Sequence, residues 1–493
     1  MKKILYLLVL ASFTNQSLLA FELSEESLIN LAKKDSPQLD EIQSRLLEAK
    51  ANYQMSNDNL SSEAYAGYNH VTTNEKAPVP FLPIYSPVNQ YKLGVRKNFK
   101  YGLSADVSAS VQQQSGSSVD SEFDNIHTTI YDLTINIDLW QDLFGKLTRL
   151  RLDNAKLNFE SNKLKSKIEN KTFLVAVRRM YWNLVANAEK LKISKRLLTQ
   201  AEKQAKDARQ RKRNSIADAG EVARYESQVA SRRGSVLLLE YQREQIIKAL
   251  TDMVPQLSGK EIVLAPYSVD KSIFDVLACT QIIGKEQTVP YKFTDYDEVT
   301  GILKKIQKNQ SQLDESYDDI DLKLSTSFKQ IGVASEDPDG NGNLYEGSYQ
   351  ESLDDIADND RSAFQAGLTL TIPLGSQEKT AQVKEEYNKR RLDASIKSTE
   401  NNIIATHNQI SRQIKVLQEV IKTQRLNSDK LNIRLKDMRK KFNQARISVS
   451  DLIQDQDALL NSDLAIIDTQ LEILNTLFDY FTIFTDTPCG FNK

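Results

Sequence analysis

The residue types able to do chemistry are few and scattered. His70, His127 and His407 are the only histidines, and none stands in a spacing such as His-Glu-x-x-His that would put two imidazoles on one helix face. The sequence therefore predicts no catalytic residues and no cofactor. One loop, Asp337-Pro-Asp339-Gly-Asn341-Gly342, imitates the start of a calcium loop, with oxygen ligands at alternate positions and glycine at the sixth. The residue at the twelfth position is Ser348 rather than a bidentate glutamate, so the other reading is a solvated acidic loop with no metal. Cys279 and Cys489 are the only cysteines. An exported chain can oxidise such a pair, which makes Cys279 to Cys489 the candidate disulfide, with two free thiols as the alternative. Asp451 and Asp455 lie one helical turn apart, where they can act as helix-capping acids or as a local concentration of negative charge.

The elements that must position these residues are long helices. Ile396, Ile403, Ile410, Leu417, Leu431 and Met438 keep a seven-residue repeat through about 376–444, broken only by Gln424, and no Pro or Gly interrupts the span. At about 1.5 Å per residue such a helix is about 100 Å long, and a sustained heptad seam stays against its partner by left-handed supercoiling. Val177, Leu184, Leu191 and Leu198 repeat the spacing in a helix from about 146 to 213; Val222, Val229 and Val236 carry it in the next. Leu452, Leu459, Ile466 and Ile473, doubled by Leu460, Ile467, Leu474 and Phe481, carry it in the last. These make two long helical hairpins.

Between them the period changes to two. Segments 62–71, 91–95, 103–111, 133–139, 322–328 and 363–372 alternate as strands, with weak apolar character on one face, as in membrane β-barrels. Residues 21–60 read as amphipathic helix and the acidic stretch 336–360 as a loop. Residues 1–20 read as a secretory signal: Lys2 and Lys3, an apolar run from Ile4 to Phe13, and a cleavage point after Ala20. Charged residues make up 26% of the chain, yet the net charge is only −2 with both signs interspersed, which argues against nucleic acid as a partner.

The pattern occurs twice. Asp132-Leu-Thr-Ile-Asn-Ile-Asp-Leu139 matches Gly367-Leu-Thr-Leu-Thr-Ile-Pro-Leu374, and the turn Asp218-Ala-Gly-Glu221-Val222 matches Ser448-Val-Ser-Asp451-Leu452. Each turn carries a capping residue answered three positions later by an acid. The organisation expected is a signal at 1–20, a first repeat at 21–254 (strands about 62–139, hairpin about 146–254) and an irregular junction at 255–294. A second repeat follows at 295–484 (strands about 322–372, hairpin about 376–484), then a tail at 485–493.

On these junctions and tips, and across nearly the whole mature chain, the sequence resembles the TolC-like outer-membrane efflux and secretion channels. It departs from the family in having Asp138 at the first junction, where proline is usual, and Ser215 and Ala445 where the tips carry glycine. The resemblance implies a mostly α fold with a small membrane β-barrel contribution: two tandem helix-strand-strand-hairpin repeats in a trimeric α/β-barrel duct, with 255–294 at an equatorial belt. The implied role is a passive exit channel of a tripartite efflux pump or type I secretion system. Its partners would be two further copies of the chain, a periplasmic adaptor (membrane fusion) protein, an inner-membrane transporter and outer-membrane lipid. Asp451, with Asp455 beside it, would form the periplasmic entrance gate. Asn214, Ser215, Ile216, Asp218, Glu221, Val222, Ala445, Ile447, Ser448 and Leu452 would be the adaptor-contacting tips. The rival reading is a periplasmic coiled-coil adaptor or structural spacer, also exported and rod-like.

Overall fold

The computed structural model describes residues 21–75, 84–117, 122–280, 294–315, 320–334, 347–358, 361–372, 376–444 and 446–483. The signal segment, Asp337, Asp339, Asn341, Ala445 and Cys489 fall outside these, as does the side chain of Cys279, so the calcium and disulfide expectations lie outside the described residues.

In chain order the elements are β1 (Phe21–Leu23), α1 (Glu25–Lys34), α2 (Pro37–Asp58), β2 (Ser62–Val71), β3 (Ile84–Phe99), β4 (Leu103–Ser117), β5 (Glu122–Asp138), α3 (Lys146–Arg213), α4 (Ala219–Met253), β6 (Ile262–Leu264) and α5 (Val269–Thr280). The second half continues with α6 (Thr294–Glu315), β7 (Asp321–Ala334), α7 (Tyr349–Asp358), β8 (Ser362–Thr371), α8 (Ser376–Asn443) and α9 (Val449–Ile483). Helices α3 and α8 are each 68 residues long, and their returning partners α4 and α9 are each 35. No described helix is apolar enough over a sufficient length to cross a membrane. Two expectations are corrected. Residues 255–294 are not irregular throughout, since Ile262–Leu264 pairs in parallel with Phe21–Leu23 and Val269–Thr280 is helical. The acidic loop holds a helix at Tyr349–Asp358.

The chain divides into two compact units. The first unit, which holds most of the paired helices, has one large apolar core. Val177 and Leu184 of α3, Leu250 of α4, Ile403, Ile410 and Ile414 of α8, and Ile473, Leu474, Leu477 and Phe478 of α9 meet there with Leu23, Leu28 and Ile262. The heptad residues are thus buried where four helices and the β1–β6 pair converge. Complete burial of each such side chain is worth about 1.5–3 kcal/mol.

The second unit is built on one six-stranded antiparallel sheet, β2-β3-β4-β5-β7-β8. Because side chains alternate across a pleat, the register sorts them into two faces. One row reads Ala64, Val95, Val107, Leu133, Phe328 and Phe364; the adjacent row on the other face reads Glu63, Arg96, Asp106, Thr134, Ser327 and Gln365. The apolar row stands open, with Val107 57% and Phe364 71% exposed. Helix α7 lies against β5 and β7. Thr129 and Ser352 share a 2.7 Å hydroxyl contact, Asp355 accepts from the Val333 amide at 2.8 Å, and the Tyr349 ring meets His127 edge-on at 4.1 Å. The approach is close enough that a Cβ on Gly332 would lie 2.0 Å from the Ser352 carbonyl oxygen.

Candidate functional site

The helical hairpins end in two turns that the fold brings together. At the first, Asp218 caps α4 by accepting from the Glu221 amide at 2.6 Å. Ser215 ends the outgoing helix at φ 57°, the left-handed conformation that glycine adopts most easily, so serine performs the turn at some backbone cost. At the second, Ser448 and Asp451 form a reciprocal capping box. The Asp451 carboxylate accepts from the Ser448 amide at 3.0 Å and hydroxyl at 2.7 Å, while the Ser448 hydroxyl accepts from the Asp451 amide at 3.2 Å. These bonds to Ser448 hold the Asp451 carboxyl below the usual aspartate range.

The two turns share a small apolar cluster of Ala205, Ala208, Val222, Tyr225 and Val449. Arg211 joins them electrostatically, pairing with Glu221 at 2.8 Å while its guanidinium lies 5.6 Å from the centre of the Phe442 ring. Burial pushes the Tyr225 hydroxyl up, so it stays a neutral donor. Of the predicted tip residues, Val222 and Leu452 are buried, at 7% and 3% exposure, whereas Ile216 is 69% exposed.

The two acids predicted for an entrance have different surroundings. Asp451 is exposed and bonded only within its own turn among the described contacts. Asp455 is 4% exposed and is held two-pronged by Arg434 of α8, at 3.0 and 2.9 Å. Further along, Gln228 bonds Gln456 at 3.2 Å, Arg232 pairs with Asp457, and Ser428 bonds Asp463 at 2.7 Å. Polar side chains thus lie along the hairpin contacts from the tip inward. Sequence reasoning missed this series; Gln228, Arg232, Gln456 and Asp457 among apolar heptad neighbours were its only sign.

The strand-to-helix junction explains Asp138. Its carboxylate accepts from the amides of Trp140 at 3.1 Å and Asp142 at 3.0 Å, and Asp142 in turn caps α3 at Leu147 and Thr148. A carboxylate therefore ends the strand by occupying amides that would otherwise continue the ladder. Among the described residues no three His, Cys, Asp or Glu side chains converge as a metal site would require.

No family model matches the chain, and no curated protein matches it in sequence. Solved structures match its fold. The outer membrane channel CmeC of Campylobacter jejuni superposes with a TM-score of 0.65 at 14% identity, covering 93% of this chain and 85% of that one. The outer membrane protein VceC of Vibrio cholerae gives 0.64 at 14% identity, covering 93% and 95%. The open-state channel MtrE of Neisseria gonorrhoeae gives 0.61 at 13% identity, covering 93% and 88%. The chain has the TolC-like fold of these outer membrane channels, in agreement with the fold class expected from its sequence.

Proposed function

We propose that the chain is one subunit of a homotrimeric outer-membrane exit duct, working with a periplasmic adaptor and an inner-membrane transporter. The observation that carries this reading is the two-faced six-stranded sheet, apolar on one side and polar on the other. In a bilayer only a closed sheet leaves no backbone group unpaired, so an open sheet of this kind needs further copies to close it. The apolar rows beyond the patch that α7 covers at Thr129 and Gly332 then face lipid, and the polar rows line water. The likeness in fold to solved outer membrane channels supports the same reading.

The duct is passive. The transporter supplies energy, the adaptor docks on the paired turns around Ile216 and Ser448, and untwisting of the hairpins opens the periplasmic end. Asp451, exposed beside the tip, becomes a ring of three like charges in a trimer, which favours cations and repels anions in a narrow opening. Asp455 holds Arg434 and positions the same stretch of helix. The chain performs no bond-making step, and neither enzyme activity nor a cofactor is part of the proposal.

The second reading, a periplasmic coiled-coil adaptor or spacer, leaves the exposed apolar sheet face without a purpose. The test is single-channel recording of detergent-purified protein in planar bilayers, comparing wild type with Asp451→Ala. A cation-selective conductance whose selectivity falls in the variant supports the duct and its gate. Failure to insert, together with recovery in the soluble periplasmic fraction, favours the spacer.

A further inference from the structure

The two repeats are unequal in the sheet, and the inequality has a geometric consequence. Among the described residues the second repeat supplies two strands to this sheet, β7 and β8, whereas the first supplies four, β2 to β5. Strand β5 is the counterpart of β8 by sequence, so β2 is the counterpart of β7. In the second repeat the counterparts pair directly; in the first, β3 and β4 stand between them. We propose that β3–β4 is a hairpin inserted into the barrel wall itself, so that three copies of this chain close an eighteen-stranded barrel, β8 of each copy pairing with β2 of the next. The proposal rests on the trimeric duct argued above and adds the construction of its wall.

Three observations carry it. First, the hairpin is bonded on both sides. Strand β2 has ten paired positions with β3, and β4 pairs with β5 from Leu103–Ile137 to Ser117–Glu122. Removing β3–β4 from the wall would leave β2 without any ladder. A polar-face link crosses it as well: Tyr65 of β2 reaches over β3 to Asp106 of β4, where Arg96 of β3 also pairs.

Second, the hairpin keeps the two faces of its neighbours. Leu93, Val95 and Val107 are 65%, 48% and 57% exposed and lie on the same face as Leu133 and Phe328, Val95 and Val107 in their row and Leu93 in the next. An appendage in water would leave these aliphatic groups solvated, whereas a wall strand puts them against lipid.

Third, the edges fit. Strands β2 and β8 are each ten residues, nearly all exposed, and among the described strands each is paired on one side only. An insertion of two strands keeps the count even, so in this antiparallel meander β2 and β8 run in opposite directions and their union between copies is antiparallel. An odd insertion would have forced a parallel seam. At a strand spacing of about 4.8 Å and a tilt of about 40°, eighteen strands enclose a barrel about 36 Å across between backbones, against about 24 Å for twelve.

The experiment is electron cryo-microscopy of the full-length protein in lipid nanodiscs. A trimer whose wall shows eighteen strands is the expected result. A trimer with a twelve-stranded wall and β3–β4 lying outside it overturns the inference and leaves the duct standing, whereas absence of a trimer removes both. A second measurement uses Val107→Cys with Leu133→Cys, which are directly opposed on β4 and β5. Oxidation of membrane-inserted protein is expected to link their peptides within one chain, and failure to link them means that β4 is not beside β5 in the wall.

Discussion

The hydroxyl of Tyr65 donates to Asp106 at 2.8 Å from two strands away, its ring lying across the intervening strand where Gly94 has no side chain. A Cβ on Gly94 would stand 2.5 Å from the Tyr65 ring. Gly94→Val should therefore displace the ring and lose the bond, as Tyr65→Phe loses it directly. A hydrogen bond to a charged acceptor contributes about 1.5–3 kcal/mol, and each variant is expected to lose about that much. The check is a double-mutant cycle on unfolding in detergent: the combined variant should cost little more than either single one, since both remove the same contact.

Asp451 and Asp455 should separate cleanly by phenotype. Asp451→Asn removes an exposed charge and should lower cation selectivity while leaving assembly intact. Asp455→Ala strands Arg434, whose side chain is 62% exposed; with that solvent screening the expected loss is about 1–2 kcal/mol, well below that of a fully buried pair. Ion selectivity and unfolding midpoint, measured on both variants, check the division.

The cap at Ser448 gives a pH signature. The Asp451 carboxyl is depressed in the folded chain by its bonds to Ser448, so its stabilising effect is present above the unfolded aspartate value, about 3.9, and is lost as pH falls through the lower folded value. Fraying of the start of α9 should appear only in that acid window. Hydrogen exchange of the amides at 449–452 would show it, and Ser448→Ala, which keeps the backbone amide but loses the hydroxyl, should weaken the pH dependence.

The first turn should tolerate glycine but not a branched residue. With φ at 57°, Ser215→Gly is expected to be close to neutral, whereas Ser215→Val should cost about 1–2 kcal/mol. Ile216→Ser should leave folding unchanged and weaken adaptor binding by about 10- to 100-fold, the effect of losing one buried aliphatic anchor worth about 1.5–3 kcal/mol. Thermal unfolding tests the first pair, and adaptor titration the second.

Glu25 and Arg178 form a buried pair in the first unit, 3.5 Å apart. Burial raises the Glu25 carboxyl despite the opposing guanidinium, and lowers Arg178 to about 10. Both groups move toward neutrality, so desolvation outweighs their attraction. Glu25→Ala alone should cost about 3–5 kcal/mol, while Glu25→Leu with Arg178→Met should be neutral or stabilising by up to about 4 kcal/mol. Because Glu25 is raised in the folded state, its contribution is fully present below the unfolded value and lost as pH rises through the folded one. Wild type should therefore gain on Glu25→Gln as pH is lowered through that range, measured by unfolding midpoints.

Local patterns determined much of this molecule from sequence alone. The seam from Ile396 to Met438 repeats every seven residues, and the alternation from Leu133 to Leu139 has period two, because helix and strand geometry are set by neighbours along the chain. The duplicated junctions made the repeat visible for the same reason. What only the tertiary structure decided depends on partners distant in sequence. Asp451 and Asp455 look alike one turn apart, yet Arg434, arriving on another helix, holds one and not the other. The acidic stretch after β7 read as a loop because its charge was conspicuous; Tyr349, Ser352 and Ile356 become a helical face only where β5 and β7 supply a surface for it. The alternation that announces a strand says nothing about which strand lies beside it. The place of β3 and β4 between β2 and β5 was therefore fixed by hydrogen-bond pairing across the sheet, a relation the linear pattern does not contain.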